Sequence, residues 1–473
     1  MDLLRVKPVE ATGEENPLRA ELGGLQLTLL GIGCIVGTGI FVITGTAAAQ
    51  HAGPAIVLSF LLSAIGCLCA GFCYAELASM IPLCGSAYTY AYSTIGELFA
   101  WIIGWDLILE YLVGSATVAV GWSGYVVSFL SGIGIHFPAA LANAPFAFKE
   151  TGWIMSGAIL NLPAVLVVLA VTVILILGIR ESSWVNAIIV VIKLVIIVLF
   201  VAFCFPYVRP DNWVPFIPPS TGFGHFGWTG IMAGAGVIFY AYIGFDAVTT
   251  AAQETKRPQR DLPIGILGSL IICTVLYVAV SLVLTGVVNY KQLDVPAPVA
   301  YAIQQVGPSV AWLRPLVELG AIAGITSVIL VLLLGQPRIF YRMAADGLLP
   351  GVFAKVHPKF RTPHVTTAVT GILAAILAGL FPIGVLSELV SIGTLLAFVI
   401  VCISVMVLRK TRPELPRLFK APLVPWLPIL GAIICFAQMV FLPPSTWIRL
   451  VIWLVIGLAI YFTYGYRKSR LNG

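Results

Sequence analysis

The sequence predicts an all-α polytopic membrane protein, on the evidence of its composition, its apolar runs and its distribution of positive charge. Of the 473 residues, 60% are apolar and only 10% are charged, whereas about a quarter of the residues in a soluble domain are charged. The 46 glycines and 30 prolines are compatible with this class, because membrane helices tolerate both residues. An ordinary soluble protein is excluded.

Twelve apolar runs account for most of the chain, and each approaches the roughly 20 residues that a helix needs to cross a bilayer. We number them segments 1 to 12. They cover residues 24–50, 54–82, 98–130, 161–179, 184–208, 227–252, 262–288, 308–336, 364–381, 384–408, 424–442 and 446–466.

Positive charge orients these segments. With the N-terminus inside, 20 of the 26 lysines and arginines fall on the cytoplasmic side, as the positive-inside rule requires. Both termini are therefore expected in the cytoplasm of a multi-pass cell-membrane protein surrounded by lipid. The basic residues are scattered over short loops, so nucleic acid is not an expected partner. We find no cleavable signal peptide, because the first apolar run is too long for one.

The segments divide into two blocks of similar length, each with an odd number of crossings, so that the second block is inverted. We expect a cytoplasmic N-terminal segment (1–23), a first repeat of segments 1–5 (24–208), a second repeat of segments 6–10 (227–409), segments 11–12 (424–466) and a cytoplasmic tail (467–473). Inverted repeats bind substrate near the midplane, at paired helices interrupted in both halves.

Glycine clusters occur at matching places in the two blocks. Segment 1 contains GIGCIVGTGIF and segment 6 contains GAGVIFYAYIGFD. Each glycine costs about 1 kcal/mol of helix propensity. Close helix packing is the alternative reading of either cluster alone, but the matched positions favour an unwound stretch in both helices.

Unwound helices expose backbone groups that suit a zwitterion. Amide N–H groups at a helix start attract anions, and carbonyls at a helix end attract cations. We therefore expect the amides of Gly37, Thr38 and Gly39 to bind an α-carboxylate, and the carbonyls of Ile35 and of the segment 6 break to bind an α-ammonium. An L-amino acid fits both.

Three stretches resemble a known family. They are CIVGTGIF in segment 1, FYAYIGFDAVTTAAQETKRPQRDLPIGI around segment 6, and RIFYRMAADGLLPGVFAKVHPKFRTPHV after segment 8. The chain is similar to the amino acid/polyamine/organocation superfamily, in particular its cationic amino acid transporter branch and the bacterial proton-coupled members.

The resemblance covers most of the chain and implies the leucine-transporter fold, with 12 transmembrane helices, a five-plus-five inverted repeat and two additional C-terminal helices. It assigns Thr38 and Gly39 to the substrate carboxylate. It also implies that Tyr240 is the aromatic residue that closes over the substrate. By the same resemblance, the carbonyls of Tyr240 and Ile243, with Ala241 between them, are expected to face the ammonium.

Ionisable residues inside membrane segments are rare and point to function. Asp106 and Glu110 stand four residues apart in segment 3 and share a helix face. In one interpretation both carboxylates satisfy neighbouring helix ends. In the other, Glu110 faces the cavity and binds the side chain of a cationic amino acid, with Asp106 as possible cavity lining.

Glu76, Glu318 and Glu388 lie near segment ends, where snorkelling or capping explains them, and Asp246 is expected to hold the broken helix.

Lys193 lies in the middle of segment 5, in AIIVVIKLVIIVLF. Removal from water disfavours the charged form of a lysine and lets it take up and release a proton. The resemblance places this lysine where sodium binds in sodium-coupled transporters of the fold. We expect Lys193 to be the proton-coupling residue and to clamp segment 5 against segments 1 and 8. A salt bridge to Asp106 or another acid is the structural alternative.

Thr326 and Ser327 in segment 8 are possible cavity lining, although helix packing explains them equally well. The chain has no phosphate-binding loop, metalloenzyme motif or potassium filter, so we expect no cofactor and no metal, with the proton as coupling ion.

The predicted function is secondary import of cationic and some neutral L-amino acids by proton symport. The alternatives are an amino acid exchanger of the same fold and, from a different class, a channel or intramembrane enzyme. Accessory subunits are left open by the sequence.

Overall fold

Long apolar helices form the bundle, as the apolar runs predict. The computed structural model describes residues 5–7, 22–80, 86–149, 152–178, 183–251, 255–360 and 362–472. Within these residues, eight helical stretches are long and apolar enough to cross a membrane, and four apolar helices are shorter. The chain is a multi-pass membrane protein.

Each apolar segment coincides with helix. In order they are Gly24–Ile35 followed by helical turns from Gly39 to Ala52 (segment 1), Ile56–Met80 (2), Glu97–Ile108, Leu109–Val113 and Gly114–Gly132 (3), Leu162–Ile176 (4), Ser183–Cys204 (5), Gly227–Ile238, Phe239–Tyr242 and Ala247–Thr250 (6), Pro258–Val287 (7), Leu313–Ala345 (8), His364–Leu380 (9), Ile383–Thr411 (10), Trp426–Val440 (11) and Pro444–Ile460 (12).

Within the described residues, two short α-helices and one hairpin are among the elements that a search for apolar runs does not find. The two helices are nine residues long, Ser86–Thr94 between segments 2 and 3 and Pro298–Val306 between segments 7 and 8. The hairpin is antiparallel and consists of Phe146–Lys149 and Gly152–Met155. The all-α prediction is wrong at this hairpin. Its strands are four residues long, and their alternating aromatic side chains, such as Phe148 and Trp153 with ring centroids 5.2 Å apart, pair across strands rather than along a helix.

The segments differ in the share of their residues that is buried inside the protein, and this share distinguishes central from peripheral segments. The most apolar stretch of segment 6 is 94% buried inside the protein, whereas that of segment 5 is 33% buried. Segment 5 therefore lies at the perimeter and turns Ile188, Val191 and Val195 outward. An apolar face of this extent belongs in lipid.

Both ends of the chain meet at Glu97, the first residue of the helix Glu97–Ile108. Its carboxylate is fully buried and accepts hydrogen bonds from Arg5 (2.9 Å), Tyr92 (3.0 Å), Tyr461 (2.9 Å) and Ser469 (2.5 Å). A buried carboxylate is stable only when it is paired and hydrogen-bonded. Glu97 thus ties the N-terminal residues and the C-terminal segment to the same end of the bundle.

Candidate functional site

The first helix breaks where its glycines cluster. The helix Gly24–Ile35 ends at Val36, which adopts an extended conformation (φ −76°, ψ 94°). The chain becomes helical again at Thr38, and Gly39–Ile43 forms a π-helical turn. The first amides of this second half have no carbonyl one turn earlier in the same helix. The predicted interruption of segment 1 is confirmed.

Segment 6 breaks at the corresponding place. Gly227–Ile238 tightens into the 3₁₀ turn Phe239–Tyr242, Ile243 is extended (ψ 140°), and helix resumes at Ala247. Gly244 follows with φ +110°, a conformation that a side chain would strain. The interruption of segment 6 is likewise confirmed.

The two breaks touch each other. A Cβ atom on Gly39 would overlap the backbone of Ala241, and one on Gly244 would lie 3.0 Å from Cβ of Cys34. Glycine therefore permits a backbone approach that no other residue allows.

Thr38 and Tyr240 both face segment 3. The Thr38 hydroxyl donates to the carbonyl of Val118 (3.3 Å), and the Tyr240 hydroxyl donates to the carbonyl of Gly114 (3.4 Å). Both side chains are buried, at 1% and 6% exposure. Gly37 packs on segment 8, where its Cβ position lies 3.1 Å from Val328. The predicted carboxylate-binding and closing residues are thus assembled around the breaks, and their roles stay predictions.

Tyr277 joins the two breaks, although nothing in the sequence singled it out. Its hydroxyl, from segment 7, contacts the carbonyl of Ile35 at 2.9 Å and the carbonyl of Ala241 at 2.8 Å. These are carbonyls at the ends of the two half-helices. The carbonyl that we expected to bind the ammonium therefore has a hydroxyl partner in this conformation. The carbonyl of Tyr240 accepts from the amide of Ile243 (3.3 Å) in a local turn.

Lys193 meets the end of the first half-helix. Its Nζ atom donates to the carbonyls of Gly33 (2.7 Å) and Val36 (3.0 Å) in segment 1, and of Gly324 (3.3 Å) in segment 8. A fourth contact, 3.3 Å, joins it to the hydroxyl of Ser327. The side chain is fully buried. A single ammonium group thereby connects segments 5, 1 and 8.

The two hydroxyls proposed as cavity lining have separate partners. Ser327 donates to the carbonyl of Gly324 (2.8 Å) and contacts Lys193. Thr326 accepts from the indole of Trp122 (2.9 Å) and donates to the carbonyl of Ile322 (2.7 Å). Thr326 therefore links segment 8 to segment 3, whereas Ser327 belongs to the surroundings of the lysine.

Glu110 lies at a distortion of segment 3. The helix widens into a π-helical turn at Leu109–Val113, a feature common at functional sites. The Glu110 carboxyl is 1% exposed, and among the described residues no side chain or backbone group donates a hydrogen bond to either of its oxygen atoms. Its predicted role toward a cationic substrate stays a prediction.

The remaining acids divide into two kinds. Asp106 is 1% exposed, and none of the described residues donates a hydrogen bond to either carboxylate oxygen. A Lys193–Asp106 salt bridge is therefore not formed. In contrast, Glu76, Glu318 and Glu388 form ion pairs with Arg409 (2.6 Å), Arg314 (3.0 Å) and Arg449 (3.2 Å). These three pairs explain the acids at segment ends as structural.

Comparison with known proteins shows to which family the chain belongs. The sequence profile of the amino acid permease family matches residues 22–461. The chain belongs to the amino acid permease family. The resemblance to the amino acid/polyamine/organocation superfamily is therefore confirmed.

This permease has relatives along its full length. It is 48% identical over 473 residues to the methylthioribose transporter of Bacillus subtilis, covering 99% of each chain. It is 49% identical over 465 residues to the branched-chain amino acid permease BcaP of Bacillus subtilis, covering 98% of this chain and 97% of that one. Cationic amino acid transporter 4 of Mus musculus is 39% identical over 417 residues, which are 88% of this chain and 64% of the mouse protein. All three are named as transporters or permeases and none as an enzyme.

Replacing Tyr277 by Phe tests whether its hydroxyl competes with substrate. The variant leaves the carbonyls of Ile35 and Ala241 without this donor, and an unsatisfied buried acceptor costs about 1–3 kcal/mol. We expect the substrate-free variant to melt at a lower temperature. We also expect saturating amino acid to raise its melting temperature more than it raises that of the unchanged protein, because the substrate ammonium supplies the missing donor.

The matched control is Tyr242→Phe, whose hydroxyl donates to the carbonyl of Phe60 (3.1 Å), away from the two breaks. Differential scanning fluorimetry of both variants with and without amino acid measures the effect. A smaller substrate-induced rise in Tyr277→Phe than in the unchanged protein contradicts the competition.

Proposed function

We propose that this permease imports L-amino acids across the cell membrane by alternating access, coupled to proton symport, with both termini in the cytoplasm. The observation that supports the proposal most strongly is the set of contacts made by Lys193. Its Nζ atom lies within 3.3 Å of four oxygen atoms from segments 1 and 8. The proposed substrates are cationic and some neutral amino acids.

Protonation of Lys193 changes what this contact can do. An ammonium group offers three N–H donors and a positive charge, and it attracts the negative end of the helix dipole at Gly33 and Val36. A neutral amine offers two donors and no charge. The protonated state therefore holds the first half of segment 1 against segments 5 and 8, and loss of the proton weakens that hold. The proton on Lys193 thus holds these segments together, as a bound metal cation could.

Alternating access follows from two interrupted helices in equivalent places. Their equivalence is supported by the nine-residue helices Ser86–Thr94 and Pro298–Val306, which stand between the second and third segments of each block. An inverted five-plus-five repeat with twelve spans accounts for this correspondence. In such a repeat, movement of one block relative to the other exposes the breaks to one side of the membrane and then to the other.

We assign one closure to each side of the two breaks. Toward the side that we assign to the exterior, Phe41, Phe200 and Val299 help to line a void of about 10 Å³, which is room for about one water molecule. Toward the other side, Lys7 pairs with Asp346 at 2.7 Å and Glu97 gathers its four donors. We propose that import opens these two closures in turn.

The proposed substrate range combines the site with the names of the relatives. Backbone groups at the two breaks recognise the carboxylate and ammonium that all L-amino acids share. BcaP, named as a branched-chain amino acid permease, supports small branched apolar side chains as substrates. Glu110 supports cationic side chains. Since another relative is named as a methylthioribose transporter, competition by methylthioribose belongs in the substrate test.

The membrane potential makes import the favoured direction. One proton crossing about 100 mV releases about 2.3 kcal/mol. Because a tenfold concentration ratio costs about 1.4 kcal/mol, this potential supports an accumulation of about forty-fold for a neutral substrate. An exchanger that swaps one neutral amino acid for another moves no net charge and would gain nothing from the potential. Dependence on an imposed gradient therefore separates symport from exchange.

Replacing Lys193 by Met should abolish accumulation. Met retains much of the apolar bulk of Lys193 but cannot carry a proton. We expect [³H]leucine accumulation, driven in proteoliposomes by an inward pH gradient, to fall at least about tenfold, which corresponds to about 1.4 kcal/mol of driving force. Lys291→Met, on the exposed turn Tyr290–Gln292, is the control. Uptake that needs sodium and ignores the pH gradient contradicts the proposal, and strict dependence on internal amino acid indicates exchange.

Replacing Glu110 by Gln tests the cationic part of the substrate range. The amide keeps the shape of the side chain and removes the negative charge. We expect arginine affinity to fall about tenfold, the size of one charge-assisted hydrogen bond of about 1.5 kcal/mol, while leucine affinity stays within about twofold. Isothermal titration calorimetry gives both values, with Glu414→Gln as an exposed control. Unchanged arginine binding removes Glu110 from the site.

A further inference from the structure

A groove between segments 10 and 11 lies on the outer surface of the bundle. Its volume is about 520 Å³, which is within the range of ligand sites. All the residues that line it are apolar, among them Val399 of segment 10 and Ile433, Phe436 and Val440 of segment 11. The three residues of segment 11 are exposed at the surface of the protein. In a membrane such a groove suits the acyl chain of a lipid.

The helical period connects this groove to one end of each segment. Lys410 follows Val399 by eleven residues, and Trp426 precedes Val440 by fourteen residues. With 3.6 residues per turn, these separations are about three and about four whole turns, so each pair lies on one helix face. Lys410 and Trp426, which are both exposed, therefore stand where the two groove-lining faces end.

The length of these faces matches one leaflet of a bilayer. At 1.5 Å per residue, Val399 and Lys410 are about 16 Å apart along the helix, and Trp426 and Val440 are about 21 Å apart. Half of the hydrocarbon core of a bilayer is about 15 Å thick. A lipid whose head group lies beside Lys410 therefore has an acyl chain long enough to reach the groove.

The loop between segments 10 and 11 is basic. Lys410, Arg412 and Lys420 are exposed, and none of the three forms an ion pair with any of the residues that the structure describes. Glu414 is the one acidic residue in the sequence between Lys410 and Trp426. This loop therefore has an excess of positive charge that attracts an anion.

The same loop exposes large apolar side chains. Leu418, Leu423 and Trp426 are 74%, 76% and 72% exposed. Tryptophan is enriched where a membrane meets water, because its ring is apolar and its N–H group is polar. The combination of these side chains with free cations indicates that the loop lies at the membrane surface, at the level of the lipid head groups.

We propose that the permease binds an anionic phospholipid at this groove, with the phosphate beside Lys410 and one acyl chain between segments 10 and 11. Basic residues at the cytoplasmic ends of membrane helices bind anionic head groups, and the proposed orientation of the termini places this lipid in the cytoplasmic leaflet. A second copy of the chain fits less well. A two-fold axis along the membrane normal would bring two basic loops to the same side of the interface.

Native mass spectrometry of the full-length permease in detergent tests this site. Phosphatidylglycerol, which is anionic, and phosphatidylcholine, which is zwitterionic, are compared with identical acyl chains. We expect phosphatidylglycerol to bind more tightly. In Lys410→Ala its affinity should fall about fivefold, the effect of about 1 kcal/mol per basic residue near a lipid surface, while the affinity for phosphatidylcholine stays unchanged. Lys410→Arg keeps the charge and should retain the affinity.

A variant of the groove tests the position of the acyl chain. Ala437 lines the groove, and Ala437→Trp should fill it and lower the affinity for both lipids. The matched control is Ala459→Trp, at an exposed position of segment 12, which should leave both affinities unchanged. Melting curves identify any variant that is misfolded.

Three outcomes overturn the proposal. In the first, the unchanged protein binds the two lipids equally well. In the second, Lys355→Ala, at an exposed lysine after segment 8, lowers the affinity for phosphatidylglycerol as much as Lys410→Ala does, which indicates diffuse surface charge. In the third, the spectra show a mass of two chains that Ala437→Trp reduces to one, which indicates that a second copy covers the groove. Because no amino acid is present, the result is independent of the proposed transport function.

Discussion

The structure depends on satisfying backbone groups where two helices break inside a membrane. Lipid offers no hydrogen-bond partner, and each unpaired backbone group costs several kcal/mol. Lys193 supplies donors to the carbonyls of Gly33 and Val36, and Tyr277 supplies one to those of Ile35 and Ala241. These two side chains replace partners that a continuous helix would have provided. They also reach across several segments, so the same contacts that stabilise the breaks determine how the segments move.

Much of this organisation can be predicted from the sequence, because it depends on which residue types occur in each segment. Runs of apolar residues predict all twelve helical segments, and paired glycine clusters predict both interruptions. Lys193 stands out in the sequence because nothing in the surrounding run of Ile, Val and Leu gives a charged residue a structural role. The permease family was likewise predictable from motifs around segments 1, 6 and 8.

Other features depend on three-dimensional proximity that no local pattern encodes. Tyr277 looks like an ordinary aromatic residue in an apolar helix, and only the fold brings it to the ends of two half-helices. The contact of the Tyr111 hydroxyl with Oδ2 of Asp246 (3.3 Å) joins residues 135 positions apart, and it depends on a π-helical turn that has no sequence signature. The helices Ser86–Thr94 and Pro298–Val306 and the hairpin at Phe146–Met155 are too short for a search based on membrane-spanning length. The helical period of segment 3 also gave Asp106 and Glu110 similar weight, whereas only Glu110 lies in the π-helical turn of that segment.

The central claim is that the protonated Lys193 side chain holds the first half of segment 1 in place. Pulsed electron–electron double resonance tests this claim directly, in a variant without the native cysteines. Spin labels are attached to cysteines introduced at two exposed residues, Leu25 at the start of segment 1 and Leu418 between segments 10 and 11. Our account predicts a distance distribution that shifts with pH, and a Lys193→Met variant that shows the high-pH distribution at every pH. A distribution that responds neither to pH nor to loss of the lysine would contradict it.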